Sequence, residues 1–290
     1  MSERILSGTP SALPTMLKAA LPALPGVNLV PGIAKKGGAL PDLRLTRKDV
    51  AIDPGHVAAY AEVCGFEKSQ ALPLTYPHML AFPLHMGIMT DASFPYAAIG
   101  SVHLGNTITQ HRPIAPNERL DVTAVATNLR GHAKGKVFDL VTTVTSGEDV
   151  VWESVSNYLR PGKGDADAKV EKSAPFEVVP GAGLTWRLEG NLGRRYASVS
   201  GDHNPIHLYP LTAKAFGFPR QIAHGMWSKA RCVAAIANRL PNEVTVEVEF
   251  KKPILLPATV AFGSRTVDEG IDFSLTNPKS GAPHLVGRTR

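Results

Sequence analysis

Tyr196-Ala197-Ser198-Val199-Ser200-Gly201 repeats a phrase the chain has already used, Tyr60-Ala61-Glu62-Val63-Cys64-Gly65, at an offset of 136 residues. A second pair follows in the same order. Arg112-Pro113-Ile114-Ala115-Pro116 is matched by Lys252-Pro253-Ile254-Leu255-Leu256-Pro257, and Pro113 and Pro253 are 140 residues apart. Two phrases at nearly one offset predict a duplicated unit of about 140 residues, and such self-similarity constrains a fold more strongly than any local pattern.

Each repeated phrase leads into strands. After Pro116, apolar residues alternate at Leu120, Val122, Ala124 and Ala126, then at Phe138, Leu140 and Val144, and 152–159 continues the run. The second half answers with 244–250, 258–267, 270–276 and 284–289. Period-two alternation broken by tight turns predicts an antiparallel meander. One apolar helical segment precedes each strand set. Met226, Ala230, Val233, Ala234, Ala237 and Leu240 recur at helical spacing until Pro241, and 79–89 is the counterpart, with Pro83 expected to kink or break it. Between the halves, Pro161, Gly162, Gly164 and a run of charges have little to bury and predict a solvated linker. The expected class is α+β, two curled antiparallel sheets each wrapped around a helix. The N-terminal unit would span 1–160, the linker 161–175 and the C-terminal unit 176–290.

At 290 residues, 43% of them apolar, the chain can fill such cores without metal or disulfide. Cys64 and Cys232 form no Cys-x-x-Cys pair and read as buried thiols of a reducing compartment. No apolar run reaches the roughly 20 residues of a membrane span, and Pro10, Pro14 and Pro22 interrupt any signal-peptide core, so a cytoplasmic location is expected. The net charge of +6 is scattered in pairs such as Lys35-Lys36 and Arg194-Arg195, with no basic helix or aromatic-interleaved patch. That argues against nucleic acid and leaves a phosphorylated carrier as the polyanionic partner.

The densest polar string is Ser200-Gly201-Asp202-His203-Asn204-Pro205-Ile206-His207. It can be read as helix punctuation, with Asn204 as cap and Pro205 at the first helical position. His203 and His207 also have the i, i+4 spacing of metal ligands on a helix, but a site would need a third ligand, for which only His224 or Asp202 is near. The chemical reading is that the turn fixes a carboxylate, Asp202, and an imidazole, His207, on one lip of a pocket, where they share a water. Downstream, Ala223-His224-Gly225-Met226 opens the apolar helix, and the Gly225 N–H there can stabilise an oxyanion.

Tyr196-x-x-Val199-Ser200-Gly201-Asp202-x-Asn204-Pro205-Ile206-His207, with Ala213, Ala215, Phe216 and Gly217 beyond it, resembles the hydration signature of (R)-specific enoyl-CoA hydratases and MaoC-like dehydratases. The whole-chain layout is similar to the double hot dog members of that family, in which only the C-terminal hot dog keeps the signature. The resemblance implies catalytic roles for Asp202 and His207, an orienting role for Asn204 and an oxyanion role for Gly225. Tyr209 departs from the acidic residue many members carry two places after the histidine.

The implied reaction is reversible hydration of trans-2-enoyl thioesters to (3R)-3-hydroxyacyl thioesters, a hydro-lyase activity. It would need neither metal nor separate cofactor, coenzyme A or the pantetheine of an acyl carrier protein being part of the substrate. Two other readings stay open, a hot dog acyl-CoA thioesterase and a non-catalytic acyl-thioester binding module. Monomer and homodimer both suit a chain that already contains two hot dogs, the dimer being favoured by symmetry statistics.

Overall fold

The two halves of the repeat meet strand to strand. In the computed structural model, which describes residues 2–8, 19, 37–165, 168, 175–181 and 183–290, eleven strands form one sheet. The first half supplies β1 (Ser2–Leu6), β2 (Leu43–Ala51), β3 (Val102–Gln110), β4 (Arg119–His132), β5 (Gly135–Ser146) and β6 (Asp149–Pro161). The second supplies β7 (Leu184–Leu188), β8 (Val244–Phe250), β9 (Ala258–Val267), β10 (Gly270–Thr276) and β11 (Pro283–Thr289). Their order is β1-β2-β4-β5-β6-β3-β8-β11-β10-β9-β7. Apart from β1, the second half is the first in mirror order about the β3–β8 seam. There the strands run antiparallel, with Gly105 opposite Glu249 through to Gln110 opposite Val244.

The helices described over several residues are α1 (Pro54–Cys64), α2 (Pro77–Met89), α3 (Leu192–Ser200), α4 (Pro210–Ala215) and α5 (Gly225–Ala234); α2 and α5 pack on the sheet, α1 on α3 and α5, and α4 on the turn at 205–207. The repeated tyrosine phrases are the last turns of α1 and α3. Both end in a glycine in the left-handed region, Gly65 at φ 76° and Gly201 at φ 72°, where a side chain would be strained. Tyr60 and Tyr196, each fully buried, face each other with ring centroids 6.4 Å apart. The Pro113 and Pro253 phrases lie in the corresponding β3–β4 and β8–β9 connections.

Alternation is visible as burial. Leu120, Val122 and Ala124 of β4 are wholly buried, as are Phe138, Leu140 and Val144 of β5, and Val244, Val246 and Val248 of β8 face the same core. Both cysteines are free and buried. Two expectations need correction. The helix does not break at Pro83, because α2 runs unbroken from Pro77 to Met89. The segment is buried along almost its whole length against β2, β4 and β5, and Arg47 Nη1 donates to the Leu80 carbonyl (3.3 Å), satisfying an acceptor in the turn the proline disturbs. The second helix is also shorter than its periodicity, ending at Ala234. Ala237 instead opens a separate 3₁₀ turn (Ala237–Arg239) and is exposed there, while Leu240, just after that turn, is half-buried. Much of the expected 161–175 linker, namely 166–167 and 169–174, lies outside the described residues, as do Pro10, Pro14 and Pro22. Among the described residues no helix is long and apolar enough to cross a membrane.

Candidate active site

Gly201 ends α3 and turns the chain outward, so that Asp202 begins a chain of local hydrogen bonds. The Asp202 N–H donates to Ser200 Oγ (3.2 Å), the Asn204 N–H to Asp202 Oδ1 (3.1 Å) and the Ile206 N–H to Asn204 Oδ1 (3.4 Å). Pro205 then starts a single 3₁₀ turn, Pro205–His207, closed by the His207 N–H on the Asn204 carbonyl (3.0 Å). The punctuation reading of Asn204 and Pro205 is therefore correct as local structure, and it is also what presents the chemical groups. Behind the turn lies Gly193 of α3. A Cβ there would come within 1.9 Å of the His207 carbonyl oxygen, so only glycine allows the helix to back the turn so closely.

His207 is buried, and its Nδ1 lies 2.8 Å from the Ile222 carbonyl. A carbonyl oxygen can only accept, so Nδ1 carries the proton and the neutral ring has its lone pair on Nε2. Burial lowers the His207 pKa, opposed by the Asp202 charge and the Ile222 carbonyl, which favours the neutral ring. His224 stacks on it, with centroids 3.7 Å apart and planes at 24°. His224 Nε2 donates to the Asp202 carbonyl (3.0 Å) and lies 3.8 Å from Asp202 Oδ2. Burial, and then the neighbouring His207, holds its pKa well below the imidazole range. One ligand-type atom from each of Asp202, His207 and His224 falls within 4.8 Å of the others. His203 is exposed and is not one of the three.

Gly225 is the first residue of α5, after His224. Its N–H is among those a helix leaves unpaired at its start, and no side chain caps this end. A Cβ on Gly225 would press on the Phe250 ring at 3.1–3.2 Å, so the close-packing role foreseen for this glycine coexists with its free N–H. Asp202 and Asn204 line a small cleft of about 60 Å³, partly open to solvent, whose other wall comes from the N-terminal half: Phe82, Met86 and Met89 of α2, Ala98, Ile99 and Ser101 beyond it, and Tyr158 of β6. His207 and Gly225 do not line it.

Three contributors escaped the sequence reading. His224 lay inside a quoted phrase and was weighed only as a metal ligand. Gly193 carried no local signal. Tyr158 was read only as part of a strand.

Two strand sets joined edge to edge into one sheet, with helices packed on it, make up the double hot dog fold. A MaoC like domain matches residues 178–279. Over 283 residues the chain is 41% identical to 3-hydroxyacyl-thioester dehydratase X of Mycobacterium tuberculosis, spanning 97% of this chain and 98% of that protein. The crystal structure of HtdX from the same organism superposes with a TM-score of 0.75 at 43% identity, covering 85% of this chain and 99% of that one. A MaoC-like dehydratase from Phytophthora capsici shares the fold at 18% identity, with a TM-score of 0.68 over 85% of this chain and 93% of its own. The chain belongs to the MaoC-like dehydratase family.

Proposed function

We propose that the chain reversibly hydrates trans-2-enoyl thioesters to (3R)-3-hydroxyacyl thioesters, with Asp202 and His207 as the acid–base pair. The observation that carries this is the fixed tautomer of His207: the Ile222 carbonyl holds the Nδ1 proton, leaving Nε2 as the acceptor of a ring clustered with Asp202 and His224. Water held between the two adds its oxygen to the β-carbon. One water proton leaves to the pair and one proton reaches the α-carbon, so the pair ends as it began. The Gly225 N–H takes the thioester oxygen as negative charge develops on it, and Asn204 orients the Asp202 turn. The substrate carries its own coenzyme A or carrier-protein pantetheine.

The Asp202, His207 and His224 cluster raises a metal reading, but the geometry favours water. Rings stacked at 3.7 Å do not aim their nitrogens at one point, and His207 Nδ1 and His224 Nε2 are engaged by carbonyls. The N-terminal unit we read as housing for the acyl chain. Phe66 follows Gly65 where Asp202 follows Gly201, and it stacks on Tyr60 (6.3 Å, 21°) instead of offering a proton acceptor. Its helix α2 begins with Pro77, which has no N–H to give where α5 has Gly225.

Crotonyl-CoA tests the reaction class directly. Loss of enoyl absorbance without free thiol is expected. Release of thiol would instead indicate a thioesterase, and an unchanged spectrum with both crotonyl-CoA and longer enoyl-CoAs would reduce the chain to a binding module.

A further inference from the structure

Tyr158 is used by nothing described so far. It stands on β6 of the N-terminal half, yet its side chain lines the same cleft as Asp202 and Asn204 of the C-terminal half. The ring is held in place by stacking: His103 lies parallel to it at 4.4 Å and 13°, and Phe138 at 5.7 Å and 16°. Phe138 is itself stacked on Tyr96 (6.3 Å, 14°) and set edge-on to Phe94 (5.2 Å). Such packing fixes both side-chain torsions, so the hydroxyl has little freedom to swing towards another partner.

The hydroxyl makes no hydrogen bond to any described residue, although its neighbours on the strand are well provided for. Asn157 Nδ2 donates to Asp139 (2.7 Å), and Ser156 Oγ accepts from Asn106 (3.0 Å). A phenol in a mostly apolar site ordinarily finds a partner, and a hydroxyl left unpaired at a cleft wall is a donor reserved for what enters the cleft. Burial, and secondarily the charge of Asp202, raises the Tyr158 pKa further above its already high value, so the phenol keeps its proton. It is then a donor across the whole working pH range. Tyr158 and Asp202 line the same cleft, and no direct hydrogen bond joins them.

We propose that Tyr158 is a third polar group of the active site, supplied by the N-terminal half, and that its O–H donates to the oxygen gained or lost at the β-carbon. This rests on the hydratase reading above. In hydration the oxygen is that of the attacking water; in dehydration it is the 3-hydroxyl, whose C–O bond breaks as the pair protonates it. Tyr158 keeps its own proton throughout and contributes a hydrogen bond alone, aimed from the side facing the Asp202 lip. An unaided half-site would hold that oxygen from one side only. The N-terminal unit would then be a direct participant in recognising the substrate as well as a wall for its tail.

Tyr158→Phe removes the hydroxyl and keeps the stacked ring. Because the hydroxyl bonds no protein group, the variant should melt at the wild-type temperature. Hydration of an enoyl-CoA should lose about tenfold or more in kcat, with KM changed less than threefold. A second readout separates bonding from structure: competitive inhibition by a 3-hydroxyacyl-CoA and by the saturated acyl-CoA of equal length. Wild type should favour the hydroxylated ligand, and Tyr158→Phe should lose several-fold of that preference while binding the saturated one unchanged. Wild-type kcat together with an intact preference would overturn the proposal. So would equal weakening of both ligands, which indicates a purely structural role. If wild type itself fails to hydrate any enoyl-CoA, the hydratase reading falls first, and direct binding of the two ligands measured by calorimetry still tests the contact.

Discussion

At the scale of single residues, the pair Asp202 and His207 makes the sharpest demand on experiment. Asp202→Asn and His207→Ala should each lower turnover by roughly 10² or more, the usual worth of a positioned acid or base. In the proposed mechanism both act on one water, so the double variant should be little worse than either alone, and losses that simply multiply would count against a shared role. The pH profile follows from burial. The His207 pKa is lowered, and only the neutral ring has a free Nε2, so kcat/KM should be level through neutrality and fall only below about 6.5, as the ring protonates. An acidic limb with its midpoint well above 7 would contradict this assignment. Asp202, Asn204, His207 and Gly225 were legible in the sequence because they sit within two short phrases. Tyr158 was not, since it reaches the cleft from a strand more than 40 residues upstream and looks there like any outward tyrosine.

Among the elements, α5 carries the next prediction. Gly225→Pro removes the N–H at the first helical position. The preceding residue, His224, already has the extended conformation a proline requires (φ −68°, ψ 140°), and α2 carries proline at its own first position. The helix should survive with some displacement of Phe250, while turnover falls by about 10²–10³, the loss typical of one oxyanion donor; circular dichroism beside initial rates checks both, and a folded variant at full speed would remove Gly225 from the site. Element existence was readable where burial alternates, and 244–250, 258–267 and 270–276 coincide with β8, β9 and β10. It was unreadable in β3, Val102–Gln110. That central strand carries Asn106, Thr107, Thr109 and Gln110, whose polar groups are met from both sides: Asn106 by Ser154 and Ser156 of neighbouring β6 and by Lys229 across the seam, Thr109 by Thr245 and Gln110 by the Asn242 carbonyl, also across the seam. A strand whose polar side chains are satisfied inside the protein loses the pattern by which strands are recognised.

For the molecule as a whole, the apolar wall of Phe82, Met86 and Met89 beside Asp202 bears on chain length. Enoyl thioesters of about eight carbons or more should be preferred over crotonyl, each methylene adding up to about 0.8 kcal/mol if fully buried. Specificity constants measured across a chain-length series would decide it, and a steady fall from four carbons upward would refute the housing role while leaving Asp202 and His207 untouched. The duplication itself was legible from two echoed phrases, whereas the mirror order of the strands was not, because pairing partners lie far apart in sequence. The seam has one further consequence. Buried Lys229 of the second half donates to the carbonyls of Asn106 and Val246, one on each side of the β3–β8 junction. Either half released from the other would expose a ladder of unpaired backbone groups, would take from Lys229 its two Asn106 acceptors, and would leave each half an open edge inviting a second copy. Duplication here has made two similar units mutually dependent, and neither can be trimmed away as redundant.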